Sequence, residues 1–309
     1  MPISPNILAT IGHTPLVALN RLRARMAFPG EVLVKIEARN PGGSIKDRAA
    51  LSMLDAAERS GALLPGGTII EPTSGNTGVG LAMIAAVRGY KVILTMPETM
   101  SIERRRLLAA FGAQLVLTEG AKGMAGAIEK ANALMAEIPG SFMPTQFENP
   151  DNAAAHFAST GPEIWQDTEG RIDAFVAGVG TGGTLTGVGS FLKKQNPGIQ
   201  LIAVEPADSP VLSQGRAGAH TLQGIGAGFI PKALDVRLID EIFPVSGADA
   251  MAMGRALAAE EGILAGITSG AAAFAACSLA ARPEYAEKRI VALLPDTGER
   301  YLSTAMFAE

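Results

Sequence analysis

Short apolar runs alternate along the chain with longer segments that carry residues typical of helix ends. The first unit has an apolar run at 32–37, a turn at 40–44 and a helical segment that continues to residue 60. Ser44 stands where a helix N-cap is expected, Asp47 where the acid of a capping box is expected, and Gly61 follows the helix. Repeated strand–helix alternation of this kind predicts mostly parallel sheets with right-handed crossovers.

The same alternation continues to the end of the chain and is interrupted in two places. The segment 139–152 is rich in Pro and Asn and looks like a seam between domains, and 206–231 is a long irregular stretch of the kind that often has a function. Together with the length of 309 residues, this predicts two layered α/β domains. The further strands are predicted at 68–71, 91–95, 114–118, 173–177, 201–205 and 289–294, with helices at about 76–88, 101–111, 184–195, 247–261 and 270–281.

Composition and charge narrow the class of protein. A hydrophobic share of 48% allows a sizeable core, and a net charge of −4 lacks the basic character of a general nucleic-acid binder. The single cysteine, Cys277, excludes an intramolecular disulfide and fits a reducing compartment. No evident secretory signal is present at the N-terminus, and the uncharged stretches 174–192 and 262–281 contain Gly, Ser and Thr. We interpret both stretches as buried backbone close to a ligand rather than as membrane spans.

Lys46 is the first residue that suggests chemistry. It lies in the first turn of a predicted helix, where the positive end of the helix dipole disfavours a cation and should lower the pKa of the amine. A lysine with a lowered pKa can form an imine or move a proton. An ordinary surface lysine is the alternative, since its neighbour Arg48 is placed just as unfavourably.

Two loops between a strand and a helix are candidate anion sites. The segment 73–77 (Thr-Ser-Gly-Asn-Thr) offers hydroxyls and free backbone N–H groups, although a polar turn with an N-cap has the same residues. The segment 178–184 (Gly-Val-Gly-Thr-Gly-Gly-Thr) could hold a phosphate at the helix N-terminus. Its first six residues also match the dinucleotide pattern G-x-G-x-x-G, with Glu205 roughly where a ribose-binding acid would lie. An NAD-dependent oxidoreductase is therefore an alternative.

The ordered motifs of the chain resemble the cysteine synthase (O-acetylserine sulfhydrylase) family of pyridoxal-phosphate enzymes from end to end. The stretches that carry this resemblance are IGHTPLV at 11–17, NPGGSIKDR at 40–48, EPTSGNTG at 71–78, MPETMSIERR at 96–105, QFENP at 146–150, GTGGT at 180–184, QGIGAGF at 223–229 and GERYLS at 298–303.

The resemblance implies a fold-type II arrangement of two α/β domains with the cofactor in the cleft between them. A smaller mobile domain would cover about 40–150, and a larger domain, which binds the cofactor phosphate, would comprise 1–39 and 151–309. Lys46 would bind pyridoxal phosphate as a Schiff base and act as the general base, and Asn76 would contact the 3′-oxygen of the ring. The phosphate would be held by Gly180, Thr181, Gly182, Gly183 and Thr184, and the substrate carboxylate by Thr73, Ser74, Gly75, Thr77 and Gln146.

One position departs from the family pattern. Where the family usually has Ser-Ser-Gly, with a serine against the pyridine nitrogen, this chain has Thr268, Ser269 and Gly270. We expect Thr268 to take the role because it retains the hydroxyl, with Ser269 as the alternative. A neutral hydroxyl leaves the ring a weaker electron sink than an aspartate would, which suits elimination of a good leaving group.

The implied reaction replaces the acetate of O-acetyl-L-serine by sulfide to give L-cysteine, through an α-aminoacrylate. Related enzymes that use thiosulfate, another activated serine or homocysteine are the alternatives within this chemistry. The resemblance further implies a cytoplasmic homodimer, and it permits binding of the C-terminal tail of serine acetyltransferase. His13, His156 and His220 have no metal-ligand spacing and are interpreted as structural or surface residues, and Cys277 as a buried, inert thiol.

Overall fold

The computed structural model describes residues 3–73 and 75–307, which form two β-sheets and the helices that cover them. The strands are β1 (Leu16–Ala18), β2 (Glu31–Ile36), β3 (Thr68–Pro72), β4 (Lys91–Pro97), β5 (Gln114–Thr118), β6 (Ala174–Gly178), β7 (Gln200–Pro206), β8 (Glu241–Val245) and β9 (Arg289–Leu294). The α-helices are α1 (Asn20–Met26), α2 (Lys46–Ser60), α3 (Asn76–Arg88), α4 (Ile102–Ala110), α5 (Gly123–Glu137), α6 (Pro150–Ala155), α7 (Gly161–Asp167), α8 (Gly183–Gln195), α9 (Val211–Gln214), α10 (Gly247–Glu261) and α11 (Ile267–Ala280).

The larger sheet has the strand order β1-β2-β9-β6-β7-β8. Its neighbouring strands run parallel, except that β1 pairs antiparallel with β2 at the edge. Both faces are buried. In β6, Val176 belongs to the core that includes α10 and α11, whereas Phe175 belongs to the core on the other face with α8. Because both faces are covered by helices, the central strands are apolar throughout, as the sequence pattern required.

The smaller sheet consists of β3, β4 and β5, all parallel. On one face Leu94 of β4 packs in a core with residues of α2, α3 and α4. On the other face Ile70 and Ile93 pack against Ala131 of α5. The predicted α/β class with mostly parallel sheets is therefore confirmed.

The predicted strands agree with the structure to within about two residues, but some elements had no prediction. Helix α5 has Gly123 and Gly126 in its first turn, and glycine disfavours a helix in isolation. Packing on the smaller sheet overrides that preference, since the Thr95 hydroxyl donates to the Ala127 carbonyl (2.7 Å). Strand β8 contains Pro244, which is tolerated because β8 is an edge strand.

Two predicted helix starts need correction. Ser44 accepts a hydrogen bond from the Lys46 amide (3.2 Å), but Asp47 accepts from the Gly42 amide (2.6 Å) rather than closing a capping box with Ser44. The tight turn at 40–44 brings the Gly42 amide within reach of the carboxylate. Helix α11 begins at Ile267, three residues before the predicted start, so that Thr268 and Ser269 lie in its first turn.

The uncharged segments proved to be buried protein interior. Segment 262–281 is mainly α11, whose residues are almost all buried, and 174–192 comprises β6, a loop and most of α8. Within the described part of the chain, no helix is both long and apolar enough to cross a bilayer.

Candidate active site

The predicted site segments lie where strands of both sheets end. Residues 73–77 follow β3, 179–184 follow β6, and 295–297 follow β9. The Ile45 amide donates to the Pro295 carbonyl (2.9 Å), so the segment after β9 also lies against the turn that precedes Lys46. In open α/β sheets, ligands bind at the carboxyl ends of the strands. The two sheets therefore contribute to one candidate site.

Lys46 is the first residue of α2 and is half-buried. Burial lowers the pKa of its amine, because a charged ammonium loses hydration there, and the nearby Asp296 carboxyl opposes this shift. The direction agrees with the sequence-based expectation, and burial is the cause that the structure adds. A neutral amine is the form that forms an imine or accepts a proton.

The loop 180–184 is shaped by neighbours that leave no room for side chains. A Cβ atom added to Gly180 would lie 2.3 Å from the Gly224 carbonyl oxygen, and one added to Gly183 would lie 2.2 Å from Asn152 Oδ1. Gly182 has φ +81°, in the left-handed region, and its Cβ would meet Leu234. These glycines let the loop pack tightly and present the N-terminus of α8.

Two threonine hydroxyls of this loop are held by buried side chains. Thr181 Oγ1 accepts a hydrogen bond from Asn152 Nδ2 (2.9 Å), and Thr184 Oγ1 lies 3.4 Å from His156 Nε2. Burial lowers the pKa of His156 well below its usual range, and nearby Lys46 acts in the same direction, so this imidazole is neutral. The arrangement offers backbone N–H groups and hydroxyls without a carboxylate, as a phosphate site requires.

The loop after β3 is coupled to Gln146. Thr77 donates from its hydroxyl to Gln146 Oε1 (2.6 Å), and the Gly75 amide donates to Thr73 Oγ1 (3.3 Å). Since Oε1 of Gln146 is engaged, its Nε2 group is the part of that side chain that can donate to an anion. Ser74, the remaining predicted residue of this set, lies outside the described residues.

A buried carboxylate, Glu71, fixes the backbone that carries Gln146. It accepts from the amides of Thr145 (3.0 Å) and Gln146 (3.3 Å), and Thr145 adopts φ +51°. Burial raises the pKa of Glu71 to about 7, while the two amides oppose that shift. Holding a threonine in the left-handed region costs energy, which these hydrogen bonds offset.

The Asn76 amide is held from both ends. Its Nδ2 donates to Asp296 Oδ2 (2.9 Å), and its Oδ1 accepts from the Arg300 guanidinium, which also donates to the Gly42 carbonyl. Because one N–H of the Asn76 amide is engaged by Asp296, the second is left to meet a ligand.

Thr268 and Ser269 are both buried at the start of α11. The Thr268 methyl group lies 3.9 Å from the Cβ position of Gly224, whose carbonyl packs on Gly180, so Thr268 faces the phosphate loop. The Ser269 hydroxyl has no hydrogen-bond partner among the described residues. The geometry offers two hydroxyls, and the choice of Thr268 stays a prediction.

Sequence reasoning missed several residues that the fold brings to this site. Asp296 and Arg300 follow β9 far along the chain from Asn76, and Asn152 lies in the segment predicted as a seam. His156 was interpreted as structural or surface, and in the structure it is buried against Thr184. A π-helical turn at His156–Thr160 between α6 and α7 is a local signal, since such turns often occur at functional sites.

Cys277 is buried in α11, and burial raises the pKa of its thiol to about 12. A thiol of that pKa is not ionised at neutral pH, which confirms the interpretation of a buried, inert side chain.

Comparison with known proteins agrees with this geometry. The profile of the family "Pyridoxal-phosphate dependent enzyme" matches residues 7–296. The chain belongs to this family of pyridoxal-phosphate-dependent enzymes.

Within that family, the relatives are cysteine synthases, as the motifs predicted. Cysteine synthase A of Escherichia coli (strain K12) is 54% identical over 309 residues, which cover 97% of this chain and 94% of the relative. The structure of cysteine synthase from Entamoeba histolytica superposes with a TM-score of 0.96 at 48% identity, over 99% of this chain and 91% of that one. The structure of O-ureido-L-serine synthase gives a TM-score of 0.94 at 45% identity, over 99% and 96%.

The residues present fit the cofactor of this family. A half-buried lysine with a lowered pKa, glycines that cannot carry a Cβ, and the unpartnered Ser269 hydroxyl are features that a bound pyridoxal phosphate would use. The dinucleotide interpretation is not favoured, because Glu205 is buried and accepts hydrogen bonds from the amides of Leu212 (2.8 Å) and Ser213 (3.2 Å). That carboxylate is not free to bind a ribose.

Proposed function

We propose that this enzyme replaces the acetate of O-acetyl-L-serine by sulfide and so forms L-cysteine. The observation that carries the proposal is the position of Lys46 at the start of α2, directly after a turn that contacts the segment following β9. Bound pyridoxal phosphate supplies an electron sink that stabilises negative charge at the substrate Cα. The remaining steps depend on side chains of this chain.

Lys46 has two tasks in this proposal: it anchors the cofactor and it transfers a proton. Its amine would remove the proton from the substrate Cα and later return a proton to the same atom. The lowered pKa of Lys46 increases the share of neutral amine, which is the form that can accept that proton. Gly180, Thr181, Gly182, Gly183 and Thr184 would hold the cofactor phosphate, Asn76 would donate to the ring 3′-oxygen, and Thr268 would contact the ring nitrogen.

The substrate carboxylate would be bound by the loop after β3 together with Gln146. The Thr73 hydroxyl and the Thr77 backbone amide in the first turn of α3 offer donors, and Gly75 and Ser74 belong to the same set by sequence. The Thr77–Gln146 hydrogen bond (2.6 Å) supports this assignment, because it turns the Gln146 amide nitrogen toward donation. Donors without a competing carboxylate bind an anion with little electrostatic cost.

We further propose that residues 40–150 form a domain that closes over the bound carboxylate. Arg104 of α4 donates to Gln223 Oε1 (2.8 Å) in the loop at 223–229, so a contact between the two parts already spans the cleft entrance. Closure would exclude water from the reactive intermediate and protect it from hydrolysis.

The localisation, the oligomeric state and a candidate protein partner of the enzyme are inferred from its family resemblance. We propose a cytoplasmic homodimer, which agrees with a free, buried cysteine. The C-terminal tail of serine acetyltransferase, which ends in a carboxylate, would compete for the donors that bind the substrate carboxylate. A synthetic peptide of that tail should then inhibit competitively with O-acetyl-L-serine, and inhibition by a peptide amidated at its C-terminus to the same extent would contradict this.

Another activated serine is the second candidate substrate. The similarity to O-ureido-L-serine synthase, at a TM-score of 0.94, favours keeping it, because the same framework serves an enzyme with a different named product. Comparing kcat/KM for O-acetyl-L-serine and other activated serines as donors, each with sulfide and with thiosulfate, would rank the donors and the acceptors.

The decisive experiment is an absorption spectrum of the purified protein. We expect a visible band from bound pyridoxal phosphate that shifts on addition of O-acetyl-L-serine and returns when sulfide is added, with cysteine formed. A protein that stays colourless with added pyridoxal phosphate would overturn the proposal. A coloured protein that ignores O-acetyl-L-serine would retain the cofactor and reject the substrate.

A further inference from the structure

Asp296 lies at the candidate active site, and its buried carboxylate has no role in the proposed reaction. It lies in the segment after β9, where residue 296 pairs as an isolated bridge with Ser44 and the Thr297 amide donates to the Gly43 carbonyl (3.2 Å). This backbone pairing fixes Asp296 beside the turn that leads into Lys46. Its side chain is 1% exposed.

The two oxygens of Asp296 have different surroundings. Oδ2 accepts from Asn76 Nδ2 (2.9 Å) and from the Tyr301 hydroxyl (2.7 Å), whereas Oδ1 has no partner among the described residues. Oδ1 lies against Gly266, where an added Cβ would come within 2.2 Å of it. Gly266 is the residue before α11, so the carboxylate packs against the start of the helix that carries Thr268.

The side-chain amide of Asn76 has only a weak intrinsic preference for rotation about χ2, so its hydrogen-bond partners set its orientation. An ionised Asp296 carboxylate is an acceptor only, so it can pair with the nitrogen end of the Asn76 amide and not with the oxygen end. The Arg300 guanidinium is a donor only, so it can pair with the oxygen end. Together they distinguish the nitrogen end of the Asn76 amide from its oxygen end. They thus direct the second N–H of Asn76 into the site.

We propose that Asp296 is a positioning residue, which orients the Asn76 amide so that its free N–H donates to the ring oxygen of the cofactor. This proposal depends on the proposed role of Asn76. Burial raises the pKa of the Asp296 carboxyl, while the bonds from Asn76 and Tyr301 and the charge of Arg300 act against that shift. The carboxylate keeps its acceptor role in either protonation state, because the unprotonated oxygen of the neutral acid also accepts.

A double-mutant cycle on cofactor affinity tests this proposal without relying on turnover. The dissociation constant of pyridoxal phosphate is measured by absorption titration of the apoenzyme for wild type, Asn76→Ala, Asp296→Ala and the double variant. We expect each single variant to weaken binding by about tenfold or more, as the loss of a hydrogen bond to a charged group does. The double variant should bind no more weakly than Asn76→Ala alone.

Two further variants separate orientation from charge and from folding. Asp296→Asn keeps an acceptor, so it should restore affinity to within about threefold of wild type. Tyr301→Phe removes the other donor to the same oxygen but leaves Asp296 and Asn76 paired, so it should leave the affinity close to that of wild type. If Asp296→Ala does not fold by circular dichroism, Asp296→Val replaces it, since a β-branched residue suits the extended bridge at 296.

The outcomes are distinct. If Asn76→Ala binds pyridoxal phosphate like wild type, the assigned role of Asn76 fails and the positioning proposal fails with it. If Asn76→Ala weakens binding but Asp296→Ala does not, the role of Asn76 stands and only the positioning proposal is overturned. Additive losses in the double variant, or equal losses for Asp296→Asn and Asp296→Ala, would also overturn it.

Discussion

Helix α2 carries two basic residues that have opposite surroundings. Lys46 is half-buried, and its pKa is lowered by burial with only the Asp296 carboxyl opposing. Arg48, two residues on, bonds to Glu37 through Nε (2.7 Å) and to Glu163 through Nη1 (2.6 Å), and its pKa is raised. Lys46 has no salt-bridge partner among the described residues, and its amine therefore loses its proton more easily. The second is fully paired and connects α2 to the larger sheet and to α7.

Arg48 belongs to a cluster of charged residues between α2, β2 and α7, which we call the Arg48 cluster. It consists of Lys35, Glu37, Arg48, Glu163 and Asp167. Lys35 of β2, fully buried, contacts Glu163 (2.9 Å) and Asp167 (3.1 Å), and the Thr14 hydroxyl donates to Glu37 (2.6 Å). Every charge in the cluster has a partner of opposite sign. The comparison shows that the same fold stabilises α2 with paired charges and leaves Lys46, two residues away, without a salt-bridge partner among the described residues.

Removing the reactive cation should have the largest effect on activity. Lys46→Ala should lower kcat by about 10²–10⁴-fold, because the general base is lost, and should also abolish the visible band of the bound cofactor. Steady-state kinetics and an absorption spectrum check this. Lys91→Ala, an exposed lysine at the start of β4, is the matched control and should behave like wild type. Near wild-type turnover of the Lys46 variant would refute its assignment.

Removing the compensated cation should act on stability instead. Arg48→Ala leaves the buried Glu37 without its salt-bridge partner and leaves Glu163 paired with Lys35 alone, which should cost about 3–5 kcal/mol of unfolding free energy. Urea denaturation checks this. The control is Arg171→Ala, which removes an exposed pair with Glu169 (2.9 Å) and should change stability by less than about 1 kcal/mol. Equal effects of the two variants would contradict the comparison.

The carboxyl groups of the two regions should make the free energy of unfolding depend on pH in opposite directions. At the site, burial raises the pKa of Glu71 and Asp47 to about 7, so both bind protons more tightly in the folded state. Their contribution to stability is present below about pH 4.5 and is lost as the pH rises through 7. In the Arg48 cluster, burial would raise the pKa of Glu163, but Arg48 and Lys35 outweigh burial and lower it to about 2. Its contribution is present above pH 4.5 and is lost as the pH falls through 2.

Unfolding free energy measured between pH 5 and 8 should therefore decrease less steeply for Glu71→Gln than for wild type. Glu169→Gln, at an exposed position, should leave the slope unchanged. A Glu71→Gln variant with the wild-type slope would show that this carboxyl is ionised throughout the range.

The smallest expected effect concerns the substrate carboxylate. Thr77→Val removes the hydroxyl that orients Gln146 and should raise KM for O-acetyl-L-serine by about two- to tenfold, corresponding to one hydrogen bond. The value of kcat should change little, because Thr77 does not touch the reacting atoms. Thr186→Val is the control, since its hydroxyl contacts Ala233 and Asp235 away from this loop. A fall in kcat with unchanged KM would contradict the role given to Thr77.

Sequence and structure agree best where a local signal suffices. The strand–helix alternation, Gly61 after α2 and the start of α4 near residue 101 were predicted correctly, since turn and cap preferences act over a few residues. The early start of α11 and the existence of α5 were not, because packing against a sheet overrides weak local preference.

By itself, the sequence determined the class of fold, the family, the position of Lys46 and the loops at 73–77 and 180–184. These are contiguous motifs, and the residue types and spacing of such a motif can be recognised without knowing the tertiary structure. Only the tertiary structure decided that Asp296 and Arg300 hold Asn76 and that His156 and Asn152 hold the threonines of the phosphate loop. The physical reason is that these residues are far apart in the chain. They can form hydrogen bonds only after the parallel strands have brought their carboxyl ends together, and their pKa values shift only once the side chains are buried there.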